Sequence, residues 1–178
     1  MQNTVELRPV AESDLPIIYR LTNDPAVAGE FEWYGWHDQW HFRRRWEHNG
    51  LLDDDGGVLT VHGQGEPAGF VSWNKRRAGR NSFSWSMGIA MMPEARGQGY
   101  GTRAQRQLVR YLFLHTLANR VEASTEVGNL AEQRALEKAG FTREGVMRGC
   151  AFQGGRWHDA VLYSILRAEV ELGAPESS

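Results

Sequence analysis

At 178 residues, with 41% hydrophobic and 24% charged side chains, the chain suits one globular domain with its own core and excludes a disordered or fibrous protein. Its 20 basic against 22 acidic residues, and a pI of about 6.3, exclude a general nucleic-acid binder, which carries a basic face. The single cysteine, Cys150, excludes a disulfide framework and a cysteine-built metal site, so a reducing cytoplasmic setting with no metal is expected.

The opening residues show neither the basic start and apolar run of a secretory signal nor the length of a membrane span, and no membrane partner is expected. Val5 to Arg8 predicts a first strand that Pro9 ends, and Ser13 or Asp14 is placed to cap a helix through Ile17, Ile18 and Leu21. The aromatic-rich stretch from Phe31 to Trp46 predicts a second helix, over about 38–48. The basic triplets at 43–45 and 75–77 read as solvated faces, offset by Asp53, Asp54 and Asp55. Gly56 and Gly57 open a β section, with strands at 58–62 and 69–73 joined as a hairpin. A longer strand follows from Ser82 to about Met91, and Pro93 stops it, because proline cannot donate to a ladder.

Thr102 to Leu117 is the clearest helix, with Ala104, Leu108 and Leu112 on one stripe. A strand at 120–125 comes next, then a helix from Leu130 to Ala139 closed by Gly140. Strands at 146–153 and 157–166, turning at Gly154 and Gly155, complete the pattern. The order implies an α/β domain over 1–172, a mixed sheet of about 6–7 strands flanked on both faces by about four helices, with 173–178 a flexible tail.

Between a strand and the best helix lies Arg96-Gly97-Gln98-Gly99-Tyr100-Gly101-Thr102. A helix start carries unpaired N–H groups and a partial positive charge, and glycines let a phosphate reach the backbone. Each such bond to a charged oxygen contributes about 1.5–3 kcal/mol, and Arg96 can add charge unless a carboxylate takes it. Alone, the motif is equally readable as a tight turn. A P-loop is excluded because no lysine precedes Thr102, and a dinucleotide fold because the glycine spacing is wrong, although Glu122 lies near the required distance.

With these pieces placed, the chain resembles the GNAT superfamily, and within it the Rim-type branch that acetylates ribosomal-protein N-termini. Arg96 to Thr102 is similar to the family's R-x-x-G-x-G/A loop. Asn129 to Glu132, running on to Glu137-Lys138-Ala139-Gly140-Phe141, looks like its second cofactor motif. Leu7-Arg8-Pro9 with Asp14 resembles the opening, and 159–167 the closing strand, so the likeness spans nearly the whole chain. It implies a splayed central sheet and acetyl-CoA as the donor. The pantetheine would pair with Ile89, Ala90 and Met91, and the Met91 N–H would serve as oxyanion donor. Asn129 would hold the pantetheine or cap its helix, and Phe141 would touch the cofactor or fill the core. A homodimer is a family expectation.

Acyl transfer needs a neutral amine, a polarised thioester and a proton for the thiolate. Where many relatives carry a glutamate, a tyrosine and, in the Rim branch, a serine, this chain has Ser86, Leu136 and Glu132. Ser86 and Glu132 are therefore catalytic candidates, with Glu126, His158 and Asp159 as remote bases. Cys150 lacks an evident histidine partner, which favours direct attack. The segment 31–40 lies where the family walls its acceptor site. Trp33, Trp36, His37 and Asp38 are either that wall or packing against the sheet. The expected reaction is acetylation of a peptide N-terminal amine. Acetylation of a small amine, or silent acyl-CoA sensing, stays open.

Overall fold

The computed structural model describes residues 4–172; the expected tail at 173–178 lies outside them. The strands are β1 (Val5–Pro9), β2 (Leu52–Asp53), β3 (Gly56–Gly63), β4 (Glu66–Arg77), β5 (Phe83–Met91), β6 (Arg120–Glu126), β7 (Thr142–Gln153) and β8 (Arg156–Leu166). The helices are α1 (Leu15–Asn23), α2 (Pro25–Ala28), α3 (His41–Asn49), α4 (Tyr100–His115) and α5 (Leu130–Ala139). One sheet runs β1-β3-β4-β5-β6-β8-β7, with β2 paired to β3 at one end. Every pairing is antiparallel except β5 with β6.

The mixed α/β fold is as the sequence implies, with β2 and α2 added to the expected elements. Strand alternation builds two cores. Leu59, Val61, Val71, Trp73, Trp85 and Met87 point to one face, where Ala104, Leu108 and Leu112 of α4 and Leu136 of α5 cover them. Val58, Ala68 and Phe70 point to the other, against Leu15, Ile18 and Leu21 of α1, with Phe42 and Trp46 of α3 beside them. Trp46 anchors α3 by donating its indole N–H to the Val10 carbonyl at 2.7 Å.

Three local expectations change. Asp14 does not cap α1 with its side chain. Its carboxylate accepts from the Ala11 N–H at 2.9 Å and from the Thr60 hydroxyl at 3.3 Å, tying the chain entry to β3. The second helix begins at His41, because Asp38 spends its carboxylate on the Trp40 N–H and on Arg44 ahead of the helix. α4 starts two residues early, at Tyr100, with Gly99 as its left-handed N-cap, and so draws Gly101 and Thr102 into its first turn.

Candidate active site

The β5–β6 ladder holds only two residue pairs, Trp85 with Val121 and Ser86 with Glu122, and then the strands part. Beyond that point β5 stays paired to β4, and the Met92 N–H donates to the Ala68 carbonyl. That bond fixes the alternation: Gly88 and Ala90 bond toward β4, so Ile89 and Met91 turn their N–H and C=O groups into the gap. The gap therefore offers a line of main-chain donors and acceptors to an extended ligand.

At its open end the chain turns through Gly97 and Gly99, with φ of 73° and 77°, where an added Cβ would meet nothing within 4 Å. The first N–H groups of α4 have no helical partner. Between this turn, β5 and α5 lies a cavity of about 480 Å³, lined by Ile89, Ala90, Met91, Arg96, Gly97 and Gly99, by Tyr100 to Thr102, and by Asn129 and Glu132. Arg134 and Lys138 add positive charge from α5. The resemblance-based cofactor positions thus come together except for Gln98 and Phe141, and Arg134 and Lys138 join them.

Arg96 lines the cavity, but its guanidinium donates to the carbonyls of Met91, Val27 and Ala28 at 2.9, 2.6 and 3.3 Å, so its charge serves main chain before any phosphate. Tyr100 is buried with its ring against Gly63, where an added Cβ would sit 2.4 Å away, so it offers the cavity little beyond its main chain. Gln98 turns aside to donate to the Glu94 carbonyl at 2.7 Å and does not line the cavity. Asn129 accepts from the Glu132 N–H at 3.2 Å as the α5 N-cap, which leaves its NH₂ for other partners. Phe141 is core, 4% exposed and packed with Leu136 and Ile165, and is withdrawn as a cofactor contact.

A second cavity of about 110 Å³ lies beside the first, lined by Phe31, Glu32, Tyr34, Met87 to Ile89, Ala123 to Glu126, and Glu132. Glu126 accepts from or pairs with His158 Nδ1 at 2.9 Å, while its other oxygen is buried without a partner. Burial pushes the Glu132 carboxyl up to about 7, with the nearby Glu32 charge adding to the effect. Gln105 of α4 bonds Glu132 at 2.5 Å. Crowding by protein likewise raises Glu32 to about 7, against the pull of Arg96 and with the push of Glu126. Glu32 still keeps an exposed surface, and it lines both cavities, so filling them with ligands would deepen that desolvation.

The residues expected to wall the acceptor, Trp33, Trp36, His37 and Asp38, line neither of these cavities. Trp33 and Trp36 stack edge to face at 5.8 Å, Trp36 is 83% exposed, and neither lines a cavity at this site. His37 is held through its N–H by Asn23, and Asp38 pairs with Arg44. Ser86 sits where β5 is still closed on β6, with its side chain on the face opposite Trp85 and Met87, and it lines neither cavity. Asp159 is spent on the Gly149 N–H at 2.7 Å. Sequence reasoning overlooked Glu32, although a lone carboxylate between Phe31 and Trp33 was the available signal.

The raised carboxyl of Glu132 has a consequence for stability. Between its ordinary value of 4.5 and about 7 the folded chain keeps a proton that the unfolded chain has lost. Its contribution is complete below 4.5 and is lost as pH rises through about 7. Glu132→Gln, neutral throughout, should therefore gain about 1–3 kcal/mol on the parent between pH 4.5 and pH 8, read from urea midpoints at both values.

Among the described residues no helix is long and apolar enough to cross a membrane, and no group of three or more His, Cys, Asp or Glu could hold a metal ion. Residues 4–142 match the family model described as an acetyltransferase (GNAT) domain. YdaF of Bacillus subtilis (strain 168), provisionally named a ribosomal N-acetyltransferase, is 36% identical over 85 residues, 48% of this chain and 46% of that one. The matched stretch is thus about half the length of that curated relative. Spermidine N-acetyltransferase from Vibrio cholerae, solved with CoA and spermine, superposes with a TM-score of 0.80 at 19% identity, covering 93% of this chain and 96% of that one. A Salmonella typhimurium acetyltransferase that modifies the N-terminal serine of a 50S ribosomal subunit protein superposes with a TM-score of 0.74 at 22% identity, covering 93% and 96%. At such identities the solved structures speak for the fold alone.

Proposed function

The chain belongs to the GNAT acetyltransferase family, and on that premise we propose that it moves an acetyl group from acetyl-CoA to a primary amine by direct attack in a ternary complex, a peptide N-terminus being the favoured acceptor. The observation that carries the reading is the parted end of β5 and β6. It leads from a glycine turn suited to a diphosphate, past free strand amides, to carboxylates. In this reading the diphosphate lies on the first N–H groups of α4 and the pantetheine along Ile89 to Met91. The Met91 N–H faces the thioester oxygen, where negative charge develops in the transition state. The amine approaches from the smaller cavity.

The acidity of the site supports an α-amine. A carboxylate near 7 takes a proton from an α-amine of pKa about 7.7–8.0 at a cost of about 1 kcal/mol, whereas a lysine near 10.4 costs about 4–5. Exposed Tyr34, Trp36, Phe152 and Trp157 lie on two segments that Gln153 ties together, donating to the Glu30 and Trp33 carbonyls at 2.8 and 2.7 Å, and they offer contact area for a peptide. One observation favours a second reading: Glu32, Glu126 and Glu132 also suit a small polycationic amine, the class bound in the Vibrio neighbour.

Thiol release from acetyl-CoA, measured over peptides with free N-termini, spermidine and lysine derivatives, distinguishes these. Peptide turnover at least tenfold above the others in kcat/KM is expected; preference for spermidine installs the second reading. Cofactor binding without turnover on any amine would leave an acyl-CoA sensor, and no binding at all would remove the whole assignment.

A further inference from the structure

Of all the residues at the two cavities, Glu32, Ile89 and Glu132 alone line both, and two of these three are carboxylates. They come from different elements. Glu132 stands in the first turn of α5, and Glu32 on the segment after α2. Each is held from outside. Gln105, fully buried in α4, bonds Glu132, while Arg96 and Gln153 grip the chain on either side of Glu32 through the carbonyls of Val27, Ala28, Glu30 and Trp33. Neither carboxylate forms an ion pair within 4 Å among the described residues, and the Arg96 charge reaches Glu32 only through space.

We infer that Glu32 and Glu132 work as one proton-transfer unit at the junction of the cavities: Glu32 takes the proton of the acceptor amine, and Glu132 gives one to the departing thiolate. This rests on the acetyl transfer proposed above. The acceptor enters as R–NH₃⁺, and ionised Glu32 removes one proton, freeing the lone pair. The C–N bond forms as the carbonyl π pair moves onto oxygen, facing the Met91 N–H. When the C–S bond breaks, its electron pair leaves on sulfur, and the thiolate takes the Glu132 proton. The protonated amide then returns a proton to Glu132. Glu32 sheds its own to solvent, so one acetyl group and one net proton are accounted for.

The surroundings suit a pair that shares a proton. Crowding by protein brings both carboxyls to about 7, and the Glu32 charge adds to the rise at Glu132, so the two hold about one proton between them at neutral pH. Facing Glu32 are Arg96 from the turn before α4, Glu126 from β6 with His158 of β8 behind it, and Tyr34 on its own segment. Facing Glu132 are Gln105 and Glu32, with Arg134 and Lys138 along the larger cavity. The Gln105 amide serves both states, its NH₂ donating to a carboxylate and its oxygen, which now has no partner, accepting from a carboxyl when the amide turns over.

The test uses the full chain with Glu32→Gln, Glu132→Gln and the double change. Read-outs are kcat against pH, calorimetric affinity for CoA, and titration of the glutamate carboxyl band by isotope-edited infrared spectroscopy. The parent should give a bell-shaped kcat profile. Glu32→Gln should lose the rising limb and Glu132→Gln the falling limb. Each should drop kcat by about 10²-fold or more, with CoA affinity unchanged. In the parent a carboxyl band should titrate near neutrality and shrink in each variant. Parent-like kcat and both limbs in either single variant overturn the inference, as does a parent band that titrates only in the ordinary carboxylate range. If no amine is acetylated while the band behaves as described, the shared proton stands and the acetyl-transfer reading is what fails.

Discussion

Gly99→Glu should raise the KM for acetyl-CoA by about 100-fold, while Gly65→Glu leaves it unchanged. Both glycines have positive φ, 77° and 89°, and neither has an atom within 4 Å of an added Cβ, so the backbone strain of substitution is alike at the two sites. That strain is about 1–2 kcal/mol, and either variant should lose stability of this order in urea. What differs is location. Gly65 turns between β3 and β4, whereas Gly99 caps α4 and lines the larger cavity. A carboxylate there opposes a diphosphate and spoils the approach to the first N–H groups of the helix. Losing one charge-assisted bond contributes about 1.5–3 kcal/mol, and about 2.7 kcal/mol corresponds to 100-fold. Equal KM values in the two variants would mean that the turn binds no phosphate.

The donor half of this site was legible because it is written in residues with little conformational choice. Gly97, Gly99 and Gly140 take left-handed φ that other residues resist, and Asn129 caps α5 from the position its type favours. The bounds of α5 could accordingly be read to the residue. The smaller cavity was not legible, since residues 29–40 form turns and irregular chain, with neither the helical nor the strand period that would assign faces. Trp33 and Glu32 are neighbours in sequence, yet only the glutamate reaches the cavities. Ser86 lines neither cavity for a different reason: it sits where β5 is still paired to β6, short of the gap that Gly88 to Met91 border. α2 and β2, four and two residues long, are too short for periodicity to register.

Arg96 occupies a position that the motif would give to phosphate binding, and Arg96→Ala separates that role from the one its geometry supports. The guanidinium joins the end of β5, through Met91, to the end of α2, through Val27 and Ala28. Two short bonds and one longer one from a charged donor, partly replaced by water on truncation, predict a loss of about 2–4 kcal/mol in urea unfolding. Because α2 leads directly into the segment that carries Glu32 and Tyr34, freeing it should raise the acceptor KM about tenfold or more, and lower kcat as Glu32 leaves its place. The acetyl-CoA KM should move less, since the amides of the glycine turn remain. Arg96→Lys should recover little, because an ammonium is a point charge without the planar fork that spans carbonyls on two elements. Were Arg96→Ala instead to keep parent stability and raise only the acetyl-CoA KM, the side chain would belong to the diphosphate. The strut between β5 and α2 would then be idle in the bound state.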